Sequence, residues 1–354
     1  RKGVFGYSNV GYGNHDSTHI NLGVACTTGT NGQHFKYCTV SGGQRNIASG
    51  YYATVNGGYN NIASNQYSTI GGGNINTASG IYAAVGSGWD NSVSGDYSMI
   101  CGGTFNIVNG DCSIIGGGYD NTADGHIAVI GGGCWHTASG NQSTIGGGYE
   151  NITSGAYSTI AGGVWNIADA DFATVPGGRQ NSALGQYSFA AGRRAKANHD
   201  GSFVWSDNTD ADFNSIAEND FSVRASGGTR VYSNTICTAG VRLPAGAGAW
   251  VAVSDSALKR NIRPVDGEEI LAKLTNIPIS RWSYKSQDES IEHIGPMAQD
   301  FYGAFGVGDD NKSISTIDPD GVALAAIQEL ARQNEELRAQ IEVLSKRIEK
   351  LENN

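Results

Sequence analysis

The side chains best placed by type and spacing to do chemistry in this 354-residue chain lie in Trp250-Val-Ala-Val-Ser-Asp-Ser-Ala-Leu-Lys-Arg-Asn-Ile-Arg-Pro264. Ser254 and Lys259 could form a nucleophile and an amine base. By themselves, however, the two read as an exposed serine and a surface lysine. A lysine works as a base only where burial lowers its pKa, and a bare segment offers no burial. Other reactive groups are sparse. His293, beside Glu292, reads as a structural histidine. Asp318-Pro-Asp-Gly321 reads as a turn and N-cap before the last helix, not as a calcium loop, because the ligand run is absent. The six cysteines (Cys26, Cys38, Cys101, Cys112, Cys134, Cys237) show no metal spacing. Cys26 and Cys38 could bridge, and the rest read as isolated thiols. No metal or cofactor is expected.

A fifteen-residue phrase fills the middle of the chain. Asn recurs in one phase at 46, 61, 76, 91, 106, 121, 151, 166 and 181, with His136 the only break. Nine residues further on stands a β-branched residue: Val55, Ile70, Val85, Ile100, Ile115, Ile130, Ile145, Ile160 and Val175. Gly pairs such as Gly57-Gly58 follow, and a second glycine stands four residues after most of the Asn positions. So strict a period means one solenoid coil per phrase. The phrase is too short for a helical hairpin and carries two short β-type runs closed by Gly or Asn. Parallel coils stack about 4.8 Å apart, so about ten make a β-rod roughly 50 Å long over 41–205. The glycines suit turns of positive φ, and the Asn column predicts a ladder of side-chain amides. Tyr52, Tyr67, Tyr82, Tyr97, Tyr157, Phe172 and Tyr187 share another phase and predict an aromatic stack.

Each coil holds few apolar residues, which is little core for one chain. Packing several chains together, each burying its Ile/Val side against two mates, is the simplest remedy; a monomeric solenoid is the alternative. Downstream, Ile327, Leu330, Asn334, Leu337, Ile341, Leu344, Ile348 and Leu351 step by 3 and 4, an a/d coiled-coil seam over 327–354, with Arg347 and Glu352 placed for an interchain pair. Ile at a, Leu at d and Asn334 at a favour a dimer, whereas the larger solenoid surface favours a trimer.

Charge separates the modules. Residues 254–354 hold 12 Lys/Arg and 18 Asp/Glu, against 11 and 15 in all that precedes them. The chain has a net charge of −10 and no basic patch, so nucleic acid is not an expected partner. No apolar run is long enough to span a membrane. The chain begins at Arg1 rather than Met, as a fragment of a longer protein would. Residues 1–40, Gly-rich with Phe5, Tyr7 and Tyr12, read as a collar or degenerate repeats.

The segment around Ser254, with Ile277-Pro-Ile-Ser-Arg-Trp-Ser-Tyr-Lys285, His293-Ile-Gly-Pro-Met-Ala-Gln-Asp-Phe-Tyr302 and Ile314-Ser-Thr-Ile-Asp-Pro-Asp-Gly-Val-Ala-Leu-Ala-Ala-Ile327, closely resembles the S74 peptidase family. These are the C-terminal intramolecular chaperones of phage tail spikes and fibres and of endosialidases. The resemblance covers 252–354, with the chaperone proper over 254–326. The repeats resemble, more loosely, the head repeats of trimeric autotransporter adhesins. The resemblance implies a homotrimer whose chaperone nucleates assembly and then cuts itself off between Val253 and Ser254. Ser254 would be the nucleophile, Lys259 its activator and Asp255 an orienting residue. Ser256 and Ala257 depart from the Arg and Asn that relatives often carry between the serine and the lysine.

The functional expectation is an extracellular fibre or adhesin segment, on a virion or a bacterial surface, that meets a glycan or protein receptor. Residues 206–253 would form a β cap, with Phe213, Phe221, Tyr232 and Trp250 as candidate receptor contacts. A tail-spike-type polysaccharide-degrading enzyme is the first alternative and would need clustered carboxylates. Asp90, Asp96, Asp111, Asp120, Asp124, Glu150, Asp169 and Asp171 read as scattered over different phases, with only Asp90 and Asp120 sharing one. The second alternative is a monomeric ice- or crystal-binding solenoid. Its Thr array (Thr54, Thr69, Thr144, Thr159, Thr174) is interrupted by Ala84, Met99, Ile114 and Val129.

Overall fold

The computed structural model describes residues 20–28 and 37–353; Phe5, Tyr7, Tyr12 and most of the expected collar lie outside them. The chain divides into two compact units, Arg1–Ala252 and Val253–Asn354.

The first unit is mainly β and is dominated by a parallel solenoid. Each coil gives two two-residue strands, for example Ile62–Ala63 and Thr69–Ile70. These join ladders of 13 and 15 strands in which every strand pairs with the one a coil away. Register follows the repeat: Ile62 pairs with Thr77 and Thr69 with Ala84. A third column of single bridges runs Gln44, Tyr59, Asn74, Trp89 and onward to Arg179. Strands this short succeed because the second residue of each pair points inward and the first outward, so one small side chain per strand fills the coil.

The interior is built from Asn, Ala and one Ile or Val per coil. Ile70, Ile100, Ile115, Ile130, Ile145 and Ile160 are all fully buried inside their own coils. The expectation that the Ile/Val side packs against neighbouring chains is therefore corrected. The coil is narrow enough that a few small side chains close it, and Asn supplies what apolar residues do not. Asn106 shows how: its Nδ2 donates to Asn91 Oδ1 (3.0 Å), Gly102 O (3.2 Å) and Gly118 O (3.0 Å), and its Oδ1 accepts from the Asn121 backbone N–H (3.1 Å). The amide ladder is present as expected. Cys26 caps it, its sulfur receiving the Asn46 N–H at 3.3 Å. Cys26 and Cys38 are separate buried thiols, and burial pushes both pKa values up, that of Cys38 to about 11.

The glycine columns have different causes. Gly58 and its equivalents take positive φ (+89° at Gly58), as the sequence suggests. The Gly50 column is forced by close approach: a Cβ there would lie 2.0 Å from Asn65 O of the next coil. The other tight turns carry side chains in the left-handed region. Tyr52, Tyr67, Tyr82 and Tyr97 have φ of 55–58°. That conformation is costly for a bulky residue, and the parallel stacking of these rings, with centroids 4.5–5.1 Å apart, offsets it.

Past residue 183 the fifteen-residue phase is lost but parallel pairing continues. Phe189, Phe203 and Phe221 pair in successive coils and their rings stack. The solenoid thus runs to Arg224, beyond the boundary drawn at 205 from the repeats. An antiparallel sheet of Thr229–Tyr232, Gly240–Leu243 and Val251–Ala252 follows.

The second unit has a short 3-10 turn (Ser256–Leu258), helix α1 (Gly267–Leu274), a two-stranded sheet (Ser280–Trp282 with His293–Gly295), helix α2 (Ala298–Phe305) and helix α3 (Ile317–Glu352). Asp266 caps α1 by accepting from the Glu268 and Glu269 N–H groups. A small core of Ile277, Phe301 and Val322 holds the unit together. The placing of Asp318–Gly321 as a turn ahead of the last helix is corrected, since α3 begins at Ile317. Pro319 is tolerated there because the first N–H groups of a helix have no intrahelical partner, and Asp318 and Asp320 favour the positive end of the helix dipole. No helix among the described residues is long and apolar enough to cross a membrane.

Candidate functional site

The structure brings Ser254 and Lys259 together: Lys259 Nζ donates to Ser254 Oγ at 2.7 Å. The contact is made by the local fold. Asp255 Oδ1 accepts from the Ala257 N–H (2.9 Å), and the Lys259 N–H reaches Ser256 O (3.1 Å). These bonds close the Ser256–Leu258 turn and return Lys259 to the serine. Asp255 therefore holds the turn and touches neither reactive group. Ser254, Lys259 and Val253 are all exposed to solvent. The single chain supplies the pairing but not the burial that a lysine base needs. In this geometry Lys259 Nζ is within reach of the serine hydroxyl, and it can take that proton only as the neutral amine.

His293 is held elsewhere. Its ring stacks on Trp282 (centroids 4.7 Å), meets Tyr284 edge-on (5.4 Å) and bonds Gln287 Oε1 (2.9 Å). Glu292 pairs with Arg281 at 3.0 Å. Both sets of partners brace the two-stranded sheet.

The solenoid carboxylates require a correction. They are not scattered but fall into three columns. Asp96, Asp111 and Asp171 form one: they accept the backbone N–H groups of Ile81, Asp96 and Ala156, each a coil away, at 2.7–2.8 Å. Asp124 and Asp169 form the second and accept from Asn109 and Ser154. Both columns fasten one coil to the next. The third holds Asp90, Asp120 and also Glu150, which the sequence reading left out. It alternates with Phe105, Trp135 and Trp165 along one edge. The signal that could have found it was present: a thirty-residue superperiod laid over the fifteen-residue one.

The four candidate receptor contacts lie on separate elements. Phe221 ends the Phe189–Phe203–Phe221 stack and is 72% exposed. Phe213 lies half-buried under the Arg224 guanidinium, 5.3 Å from its ring. Tyr232 and Trp250 are exposed, Tyr232 on the antiparallel sheet and Trp250 just ahead of its last strand. The Thr column lies outward on one face of the longer ladder, with Met99 and Ile114 in the gap. Among the described residues no cluster of His, Cys, Asp and Glu is arranged to hold a metal ion.

Residues 254–306 match the model of the peptidase S74 family, described as the chaperone of endosialidase. The match takes in the Ser254–Lys259 turn, α1, the two-stranded sheet and α2, and stops before α3. No curated protein matches the chain.

Proposed function

We propose that this chain, a β-solenoid followed by a chaperone-of-endosialidase segment at 254–306, is part of a homotrimeric surface fibre used for attachment, matured by self-cleavage between Val253 and Ser254. The observation that carries the assembly is the apolar seam of α3. Ile327, Leu330, Leu337, Ile341, Leu344, Ile348 and Leu351 are 45–76% exposed along one helix. A seam of this kind is stable in water only against other helices.

A second observation supports self-association along the solenoid. Gly42, Gly57, Gly72, Gly102, Gly117, Gly132, Gly147, Gly162 and Gly177 form a column broken only by Ser87. A Cβ at any of these glycines meets no atom of the chain closer than 3.5 Å. Ser87 proves that the backbone accepts a side chain there. Gly117 and Gly177 take positive φ of 153° and 150°, which disfavours a side chain, but at the remaining positions the preference for glycine answers to nothing in the chain's own contacts, which fits close approach by a second copy. A nearby outward column from Thr54 to Thr174 carries no charge, as the core of an interface requires.

In the cleavage, Ser254 Oγ attacks the Val253 carbonyl carbon while Lys259, deprotonated, takes the hydroxyl proton. The peptide bond breaks to a Val253 ester and a free Ser254 amine, and water then releases the Val253 carboxylate. Neighbouring chains covering Lys259 would supply the desolvation that makes it a base, which couples cutting to assembly.

The test is intact and native mass of wild type beside Ser254→Ala. The expected result is a trimer of chains ending at Val253, with a released 254–354 fragment, in wild type only. An uncut trimer in both would refute the cleavage and leave the fibre; a monomer in both would refute the assembly.

A further inference from the structure

We infer that the edge of the solenoid from Trp89 to Trp165 is a binding strip for an extended, uncharged glycan. Two adjacent columns make this edge. The bridge column contributes Trp89, Tyr119 and Tyr149, and the column after it, in the left-handed turn, contributes Phe105, Trp135 and Trp165. The aromatic ring changes column at every coil, so the six form one zigzag with centroids 4.9–6.3 Å apart. From Phe105 onward successive rings meet edge to face at 79–85°.

Geometry separates this strip from the other aromatic column. Tyr52, Tyr67 and Tyr82 lie parallel within 3–11°, so a neighbouring ring covers each face of an inner ring. In the zigzag a tilted or edge-to-face neighbour leaves a ring face open, as at Trp89 and Trp135, whereas at Trp165 the Arg179 guanidinium lies over the ring, 4.7 Å from its centroid. The apolar C–H face of a sugar packs on an open ring face, whereas its hydroxyls need fixed acceptors beside that ring. Asp90, Asp120 and Glu150 provide acceptors wherever the zigzag lies in the other column. Glu150 also holds a ring in place, receiving Trp165 Nε1 at 2.7 Å. Between the coils lies a groove of about 510 Å³ lined by Asp120, Thr122, Trp135, Thr137, Tyr149 and Glu150. That volume suits a short stretch of sugar chain, with aromatic, hydroxyl and carboxylate groups converging on it.

The charge selects the ligand. Between residues 89 and 165 the two columns carry three carboxylates and no Lys or Arg, and the one cation at that end, Arg179 of the next coil, is stacked on Trp165, so an acidic polysaccharide is repelled along the stretch from Trp89 to Tyr149. The pattern repeats every two coils, about 9.6 Å, and a polymer lying along the edge meets the same site more than once. Affinity should therefore rise steeply with chain length. The inference rests on the solenoid being the surface-exposed part that attaches, and requires neither trimerisation nor cleavage.

The test is affinity electrophoresis of the full chain through gels containing dextran, mannan or a β-glucan, beside alginate and polysialic acid, with tryptophan fluorescence as a second readout. At least one neutral polymer should retard the chain and quench its fluorescence, and the acidic polymers should not. Trp135→Ala should weaken that binding at least tenfold, and Asp120→Asn several-fold. Tyr67→Ala, in the parallel stack, should bind as wild type. Circular dichroism confirms that each variant retains its coils, and the Asp120→Asn arm stands if Trp135→Ala misfolds. The inference is overturned if no neutral polymer binds, if acidic polymers bind equally well, or if both strip variants bind as wild type. It is also overturned if native mass shows Trp135→Ala dissociating an oligomer, because the edge would then be a contact between chains. None of these outcomes decides the cleavage or oligomer mass of wild type, so the two readings fail separately.

Discussion

Replacing His136 by Asn should stabilise the solenoid and remove a pH dependence from it. His136 stands where nine other coils carry Asn and is fully buried. Its Nδ1 accepts the Asn151 backbone N–H at 3.1 Å, so that nitrogen carries no proton. The neutral ring must then keep its proton on Nε2, which faces the Gly148 carbonyl without forming a well-directed hydrogen bond to it. A buried unpaired donor costs about 1–3 kcal/mol. Asn at this position would donate to the neighbouring amide and to carbonyls of its own and the next coil, as Asn121 does at 3.0, 3.2 and 2.9 Å. Burial also pushes the His136 pKa down. As pH falls below the ordinary value of about 6.5, the unfolded chain therefore binds the proton first. Stability is lost from there down to the depressed folded value, at most about 1.4 kcal/mol per pH unit, and is indifferent to this group above about pH 7. Urea or thermal unfolding of wild type and His136→Asn at pH 5.5 and 8 measures both effects. The variant should be more stable at pH 8 by about 1–3 kcal/mol, with the gap wider at pH 5.5. The other histidines are common to both proteins and cancel in the difference. A gap independent of pH would refute the titration argument, and a less stable variant at both pH values would refute the ladder argument.

Asn106→Ala is the converse: it leaves the buried Asn121 N–H without its acceptor, at about 1–3 kcal/mol. Because coils contact only their neighbours, hydrogen exchange should quicken most in the coils around 106; uniform quickening along the rod would contradict this. Gly102→Gln probes the open glycine column. The chain's own fold should be unchanged by circular dichroism, since a Cβ there meets only Ser87, at 3.5 Å or beyond. The oligomer should weaken in native mass, and an intact oligomer would remove this column from the interface.

Much of the solenoid was legible because its causes are local and repeated. A fifteen-residue phase fixes strand length, parallel register and inward column at once, and a mistake in one coil would recur in all. The Asn ladder and the Tyr stack followed from phase alone. The carboxylate columns are equally countable, since Asp96, Asp111 and Asp171 share one phase, Asp124 and Asp169 a second, and Glu150 that of Asp90 and Asp120. The Ser254–Lys259 contact was not legible from spacing: five residues join only because Asp255 closes the intervening turn.

By itself, the sequence determined the periodic architecture, the break at His136 and the heptad seam, since each depends on residue types at fixed separations. Only the tertiary structure decided which side of each coil is inside. Fifteen residues curl tightly enough that one Ile or Val, one or two Ala or Ser and a hydrogen-bonded Asn fill the space, a matter of coil radius that no composition count reveals. It likewise decided why each glycine is glycine. Positive φ, a carbonyl 2.0 Å away and open space are three conditions set by the stacking of neighbouring coils, and the letter G is the same for all three.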